Sequence, residues 1–146
     1  MDLSLNGKVA LITGASRGIG KSCAQVLTQE GCNLIICSRG KQRLEETAEE
    51  LKAEGTEVLA IQADIAKPKD VDSFVTQAVE KFGRIDILVN NAGTGRLSDL
   101  MELPEEEFRY NMDLMLFGLI RCCKAAVVHM REQKWGRIIN ISSIFG

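Results

Sequence analysis

The sequence Thr13-Gly14-Ala15-Ser16-Arg17-Gly18-Ile19-Gly20 joins a short apolar run to the start of a helical pattern. Gly14 can turn the chain sharply off a strand, while Gly18 and Gly20 let the backbone approach a pyrophosphate and let the helix pack on a sheet. Backbone N–H groups at the start of that helix would face the anion. Gly20-Lys21-Ser22 ends the stretch, but Ala15 stands where the pattern Gly-x4-Gly-Lys-Ser/Thr requires its first glycine, so a kinase-type phosphate loop is disfavoured. The stretch predicts a dinucleotide-binding turn; the alternative is a tight connection without a ligand.

Five apolar runs of strand length are spaced along the chain, and the glycine-rich turn follows the first of them. The runs cover residues 9–12, 34–37, 58–61, 87–89 and 138–141. Continuous apolar runs without alternation are typical of parallel strands that are covered on both faces. We therefore predict five parallel strands.

Helical patterns fill the gaps between the runs. Three apolar stripes are predicted: Ile19, Cys23, Val26 and Leu27; Leu44, Ala48 and Leu51; and Val71, Phe74, Val75, Ala78, Val79 and Phe82. Pro68 and Gly83 bound the third helix, and a fourth, longer helix is predicted from Pro104 to about Arg131. Because right-handed crossovers join parallel strands, this order predicts an α/β fold, a Rossmann-type doubly wound parallel sheet, in a single domain over residues 1–146.

Composition and charge exclude several classes of protein. Of the 146 residues, 45% are hydrophobic and 26% are charged, which is typical of a globular domain with a core. A net charge of -2 leaves no broad basic surface for nucleic acid. Residues 1–7 show no signal-peptide pattern, and five cysteines without a CxxC pair indicate buried, reduced thiols, so we expect a cytoplasmic protein.

One apolar segment, residues 112–130, is about as long as a membrane-spanning helix. It contains Asp113, Arg121, Lys124 and His129, which would be costly in a bilayer. We therefore expect a helix that is buried in protein, partly against another subunit, and no membrane partner.

Three further motifs follow later runs in the way that the glycine-rich turn follows the first. They are Asp64 in Ala63-Asp64-Ile65, the stretch Asn90-Asn91-Ala92-Gly93, and the stretch Asn140-Ile141-Ser142-Ser143. Together with the turn they resemble the short-chain dehydrogenase/reductase family over essentially the whole chain, with similarity to 3-ketoacyl-(acyl carrier protein) reductases. The resemblance implies that Asp64 binds adenine, whereas Asn90 and Asn91 either contact the cofactor or tie strand ends together. The residues assigned to cofactor binding are Gly14, Ser16, Arg17, Gly18, Ile19, Gly20, Ser38, Arg39, Asp64, Ile65, Asn90, Ala92 and Gly93.

The end of the second run distinguishes NADP from NAD. NAD-binding proteins of this type usually place an acidic residue there, because a carboxylate accepts hydrogen bonds from the ribose hydroxyls. Here the position reads Cys37-Ser38-Arg39, without a carboxylate. Arg39, helped by Arg17, can hold the 2′-phosphate with forked, charge-assisted hydrogen bonds; the alternative is that both are solvated surface charges. We predict NADP as the cofactor, with NAD the less favoured alternative.

The resemblance also implies hydride transfer between the nicotinamide and a carbonyl or alcohol substrate, with Ser143 as the catalytic residue that hydrogen-bonds the substrate. The family's Tyr four residues before a Lys is absent, since the only tyrosine is Tyr110 and Leu114 stands at that spacing. Aligned on Gly118, Met115 stands where many relatives have Asn. The single histidine, His129, has no partner at ligand spacing, so no metal site is predicted.

Two functions remain open at this point. The first is an NADP-dependent oxidoreductase whose chain is cut off after the fifth strand, and we favour this interpretation. The second is a nucleotide-binding module without catalysis, which lacks the Tyr-Lys pair. The apolar long helix resembles the dimer-forming helix of the family, which implies a homodimer or homotetramer.

Overall fold

The computed structural model of the chain describes residues 3–94, 99 and 101–143. Its strands are β1 (Val9–Thr13), β2 (Asn33–Ser38), β3 (Val58–Gln62), β4 (Ile87–Asn90) and β5 (Arg137–Asn140). Its helices are α1 (Gly18–Gln29), α2 (Lys41–Lys52), α3 (Pro68–Phe82), α4 (Glu105–Met112) and α5 (Leu119–Glu132), with a π-helical segment, Asp113–Gly118, between the last two. Every predicted strand is present, because each apolar run is long enough to cross a sheet and too short for a helix.

The five strands are all parallel and lie in the order β3-β2-β1-β4-β5. Strand order therefore reverses between β1 and β4, which confirms the predicted doubly wound sheet. The carboxyl ends of parallel strands share one edge, so the glycine-rich turn and the segments after β2, β3 and β4 meet there. In open α/β sheets, ligands bind at this reversal point.

Two apolar clusters cover the opposite faces of the sheet. In β1, Val9 and Leu11 belong to one cluster while Ala10 and Ile12 belong to the other, as the alternation of side chains along a strand requires. The first cluster contains the predicted stripe of α3, and the second contains the predicted stripe of α2. The four glutamates of α2, Glu45, Glu46, Glu49 and Glu50, are exposed on its outer face.

The predicted apolar stripe of α1 is wrong in half of its members. Ile19 is 61% exposed and Val26 is 54% exposed. The buried positions are Gly20, Ala24 and Thr28, four residues apart along the helix. Small side chains at these positions let α1 lie close to the sheet, and this close approach turns the larger apolar residues outward.

Within the chain, the long helix is covered along one stripe only, and its predicted burial against another subunit stays a prediction. Its buried residues recur every four positions: Leu114, Gly118, Cys122, Ala126 and Met130. Other apolar residues of the same stretch are exposed, namely Met112, Met115, Leu116, Phe117 and Val128, and so is the whole of β5. Within the described residues, no helix has both the length and the apolar character needed to cross a bilayer.

Thiol reactivity tests the packing of the core. Cys32, Cys37 and Cys122 are buried, and desolvation raises the pKa of Cys32 to about 11 and that of Cys122 to about 12. We expect at most two of the five thiols, those of the half-buried Cys23 and Cys123, to react with a thiol reagent at pH 8 in the native chain. All five should react in denaturant, and rapid reaction of all five without denaturant would contradict the fold.

Candidate nucleotide-binding site

A cleft of about 1040 Å³ opens at the carboxyl edge of the sheet, where the strand order reverses. Its volume matches the largest ligand pockets, which reach about 1,000 Å³. Ten of the residues predicted to bind a cofactor line it: Gly14, Ser16, Arg17, Gly18, Ile19, Ser38, Arg39, Ile65, Ala92 and Gly93. The other three, Gly20, Asp64 and Asn90, do not line it. In the part of the chain that the structure describes, no group of three His, Cys, Asp or Glu side chains could hold a metal ion.

The glycine-rich turn is held to β2 and leads directly into α1. The Ala15 N–H donates to the carbonyl oxygen of Cys37 at 3.0 Å, and Gly14 has a φ of 67°, which favours glycine. Helix α1 begins at Gly18 without a side-chain cap on its first turn. Its first backbone N–H groups, which have no partner within the helix, are therefore suited to an anion.

Gly20 lies where α1 passes closest to the turn. A Cβ atom at Gly20 would lie 2.5 Å from the carbonyl oxygen of Gly14 and would also overlap the amide of Asn91. We expect Gly20→Ala to push α1 away from the turn, to lower the free energy of unfolding by about 2 kcal/mol and to remove most nucleotide affinity. Urea unfolding and ligand titration measure the two effects.

Gly40→Ala is the matched control for that substitution. Gly40 lines the same cleft, but its φ is -87° and a Cβ there would meet no atom within 4 Å. We expect its unfolding free energy to stay within about 0.5 kcal/mol of the original. If Gly20→Ala were equally harmless, the close approach of α1 would be refuted.

The two asparagines at the carboxyl end of β4 tie strand ends together. Asn91 donates from Nδ2 to the carbonyl oxygens of Thr13 and Gly14, at 3.0 and 3.1 Å. The buried Asn90 donates from Nδ2 to Asn140 Oδ1 at 2.9 Å, and its own Oδ1 has no partner among the described residues. These bonds fit the tying role for both residues, and Asn91 also lines the cleft, where contact with a cofactor stays a prediction.

Thr13 is a site residue that sequence reasoning did not single out. Its buried Oγ1 accepts hydrogen bonds from the N–H groups of Asn91 and Ala92, at 3.0 and 2.9 Å. This fixes the segment after β4 against the end of β1. A hydroxyl directly before a turn commonly bonds to nearby backbone, and this pattern could have identified Thr13 from the sequence.

Basic residues gather at the cleft next to the end of β2. Besides Arg17 and Arg39, the cleft is lined by Lys41 and Arg43, which are not among the residues predicted to bind a cofactor. These two residues begin α2, whose N-terminus also lacks a side-chain cap. Cationic side chains and a free helix N-terminus both favour a negatively charged group at this end of the cleft.

Asp64 and Arg39 are joined by a residue from the long helix. Arg39 Nη1 donates to the hydroxyl of Tyr110 at 2.8 Å, and that hydroxyl donates to Asp64 Oδ1 at 3.2 Å. Burial, and next the charge of Asp64, raise the pKa of Tyr110, so its hydroxyl keeps its proton at neutral pH. Tyr110 lies too far along the chain from both partners for sequence reasoning to have paired them.

Ser143 and Met115 lie toward the β4 and β5 side of the same edge. Ser143 follows β5, which pairs in parallel with β4, and it is exposed and outside the set of lining residues. Met115 lies in the π-helical segment, and a Cβ atom at Gly93 would be 3.9 Å from its Sδ atom. The Met115 thioether therefore lies next to Gly93, which lines the cleft.

Comparison with known proteins agrees with this geometry. A family model described as short chain dehydrogenase matches residues 8–146. The 3-oxoacyl-(acyl-carrier-protein) reductase of Staphylococcus aureus is 43% identical over 140 residues, which are 95% of this chain and 57% of that protein. The chain thus spans little more than half the length of this relative.

Solved structures give the same picture. L-Sorbose reductase from Gluconobacter frateurii, complexed with NADPH and L-sorbose, is similar with a TM-score of 0.95 and 39% identity, covering 99% of this chain and 55% of that one. An NAD+-bound xylitol dehydrogenase is similar with a TM-score of 0.91 and 31% identity, covering 97% of this chain and 55% of that one. The backbone alone therefore does not distinguish the two cofactors, and the side chains of the cleft must.

Proposed function

Because the chain belongs to the short-chain dehydrogenase family, we propose that it forms the nucleotide-binding part of an NADP(H)-dependent oxidoreductase. The proposed reaction is transfer of a hydride between the nicotinamide and a carbonyl or alcohol substrate. One observation carries the choice of cofactor: Arg39, not a carboxylate, directly follows β2 at the cleft, and Lys41 and Arg43 of α2 line the cleft beside it, with Glu46 one turn further along α2. The NADPH bound to the related L-sorbose reductase supports the same choice.

The residues of the cleft fit NADP in chemical type. Backbone N–H groups of the turn between Gly14 and Gly20 would hold the pyrophosphate, and Arg39 and Arg17 would hold the 2′-phosphate. Ile65 would contact the adenine, and Ala92 and Gly93 would border the nicotinamide half. Asp64 and Asn90 do not line the cleft, so we assign them no direct contact with the cofactor. When bound, the cofactor supplies or accepts the hydride. Ser143 would hydrogen-bond the substrate oxygen.

A second candidate function is nucleotide binding without catalysis. These 146 residues contain no Tyr four residues before a Lys, and the one tyrosine, Tyr110, is engaged with Arg39 and Asp64. These residues would then bind NADP without supplying the group that transfers a proton. Carbonyl reduction by the 146-residue chain alone would rule out this alternative.

Two further proposals concern assembly and compartment. The apolar residues exposed on α4, the π-helical segment and α5 support a homodimer or homotetramer through this face. Five free cysteines, three of them buried, support a reducing compartment such as the cytoplasm.

Titration of the purified chain with NADPH and NADH, followed by nicotinamide fluorescence, tests the proposed cofactor. We expect saturable binding of both and at least tenfold tighter binding of NADPH, because one charge-assisted hydrogen bond contributes about 1.5–3 kcal/mol. Equal affinities would remove the case for NADP, and no saturable binding of either would remove the proposed function.

A further inference from the structure

We propose that Tyr110 is a positioning residue for Arg39, and that it thereby strengthens the preference for a 2′-phosphorylated adenosine. This inference rests on the proposed function, in which Arg39 binds the 2′-phosphate. Tyr110 itself does not line the cleft and is only half-buried, so it acts through Arg39 rather than on the ligand.

Three contacts restrain Arg39, although its side chain is exposed. The Tyr110 hydroxyl accepts a hydrogen bond from Arg39 Nη1 at 2.8 Å, and the guanidinium carbon lies 5.7 Å from the centre of the Tyr110 ring. The carbonyl oxygen of Arg39 accepts a hydrogen bond from Gln62 Nε2 at 2.9 Å. The side chain and the backbone are thus both held.

The other end of the tyrosine is anchored as well. Its hydroxyl donates to Asp64 Oδ1, which also accepts the N–H of Ala66 at 3.1 Å. The Asp64 N–H in turn donates to Asp70 Oδ2 at 2.8 Å, so the segment that carries the anchor is fixed. A hydroxyl that donates to a carboxylate is oriented to accept from a guanidinium, which is the arrangement found here.

This arrangement lowers the cost of ordering Arg39 when a phosphate arrives. An arginine has a rotamer-rich side chain, and a surface arginine loses that freedom on binding an anion. Tyr110 accepts from one of the five guanidinium N–H donors. The other donors remain available to bind a phosphate in the forked geometry. The gain should appear only for ligands that carry the 2′-phosphate.

Calorimetric titration with 2′,5′-ADP and with 5′-AMP tests the inference on the chain and on Tyr110→Phe, Arg39→Ala and the double variant. Both probes carry the same adenosine, so the ratio of their affinities cancels any change at the adenine. We expect Tyr110→Phe to lower the ratio about fivefold and to have no effect on it in the Arg39→Ala background. Arg43→Ala is the matched control, in whose background the fivefold loss should persist.

The outcomes separate this inference from the proposed function. A ratio that falls with Arg39→Ala but not with Tyr110→Phe overturns the role of Tyr110 and leaves the proposed function standing. An equal fall from Tyr110→Phe with and without Arg39 also overturns it, because Tyr110 would then act by another route. A ratio near one in the unsubstituted chain overturns both the role of Tyr110 and the proposed binding of the 2′-phosphate. Phenylalanine retains the ring and its packing, so the variant should keep the far-ultraviolet circular dichroism of the fold.

Discussion

Arg39→Asp is expected to change the ratio of NADPH affinity to NADH affinity by about 100-fold in favour of NADH. The substitution removes charge-assisted hydrogen bonds to the 2′-phosphate, which contribute about 1.5–3 kcal/mol, or about 10- to 100-fold in affinity. It also places a carboxylate where NAD-binding proteins use one to accept the ribose hydroxyls. Dissociation constants for both cofactors, taken from nicotinamide fluorescence, measure the change.

Arg43→Asp is the control for that experiment because it makes the same change of charge in the same cleft. It should weaken NADPH without strengthening NADH, since the acceptor for the ribose hydroxyls is expected only at position 39. If both variants shifted the ratio equally, the effect would be one of net charge in the cleft. If Arg39→Asp left the ratio unchanged, Arg39 would have no part in recognising the 2′-phosphate.

Asp86→Ala should lower the free energy of unfolding by about 3 kcal/mol, which is a large share of the stability of a domain of this size. The carboxylate of Asp86 is fully buried at the amino end of β4. It accepts hydrogen bonds from Arg84 Nε and Nη2, both at 2.7 Å, and from the N–H of Val9 at 2.9 Å. Removing it leaves the buried Val9 N–H without a partner and breaks the pairing with Arg84.

Asp86→Asn should cost less, because an amide oxygen can still accept from Val9. Asp72→Ala is the neutral control, since Asp72 is exposed on α3, and we expect it to stay within about 0.5 kcal/mol. Urea unfolding followed by circular dichroism compares the three. Equal stability of Asp86→Ala and Asp72→Ala would show that the buried carboxylate does not hold β1 to β4.

The sheet was predictable from the sequence because every strand is marked by an apolar run and four of the five also by a motif at the carboxyl end. The face of α1 that packs on the sheet was not predictable from the sequence. Apolar patterning selects Ile19 as a buried residue rather than Gly20. The close contact of Gly20 with Gly14 and Asn91 reverses that order. Such a packing constraint depends on how closely two elements approach each other. The spacing of apolar residues along a sequence does not report that distance.

The cleft was predictable where its residues directly follow strands, as Gly14 and Arg39 do. Asp64 is different, since its carboxylate meets Tyr110 from a helix that lies 46 residues further along the chain. Contacts between residues this far apart in the sequence depend on how the helices pack. They leave no local sequence motif from which they could be predicted. Lys41 and Arg43 were readable as basic residues, and only the fold shows that they line the cleft.

The central claim is that this cleft binds NADP, and an NMR titration of the ¹⁵N-labelled chain with NADPH tests it most directly. Backbone amide shifts report the position of the ligand residue by residue. We expect saturable shifts concentrated in residues 14–20, 38–43 and 92–93. Shifts confined to the exposed face of α4 and the π-helical segment, or none that saturate, would contradict it.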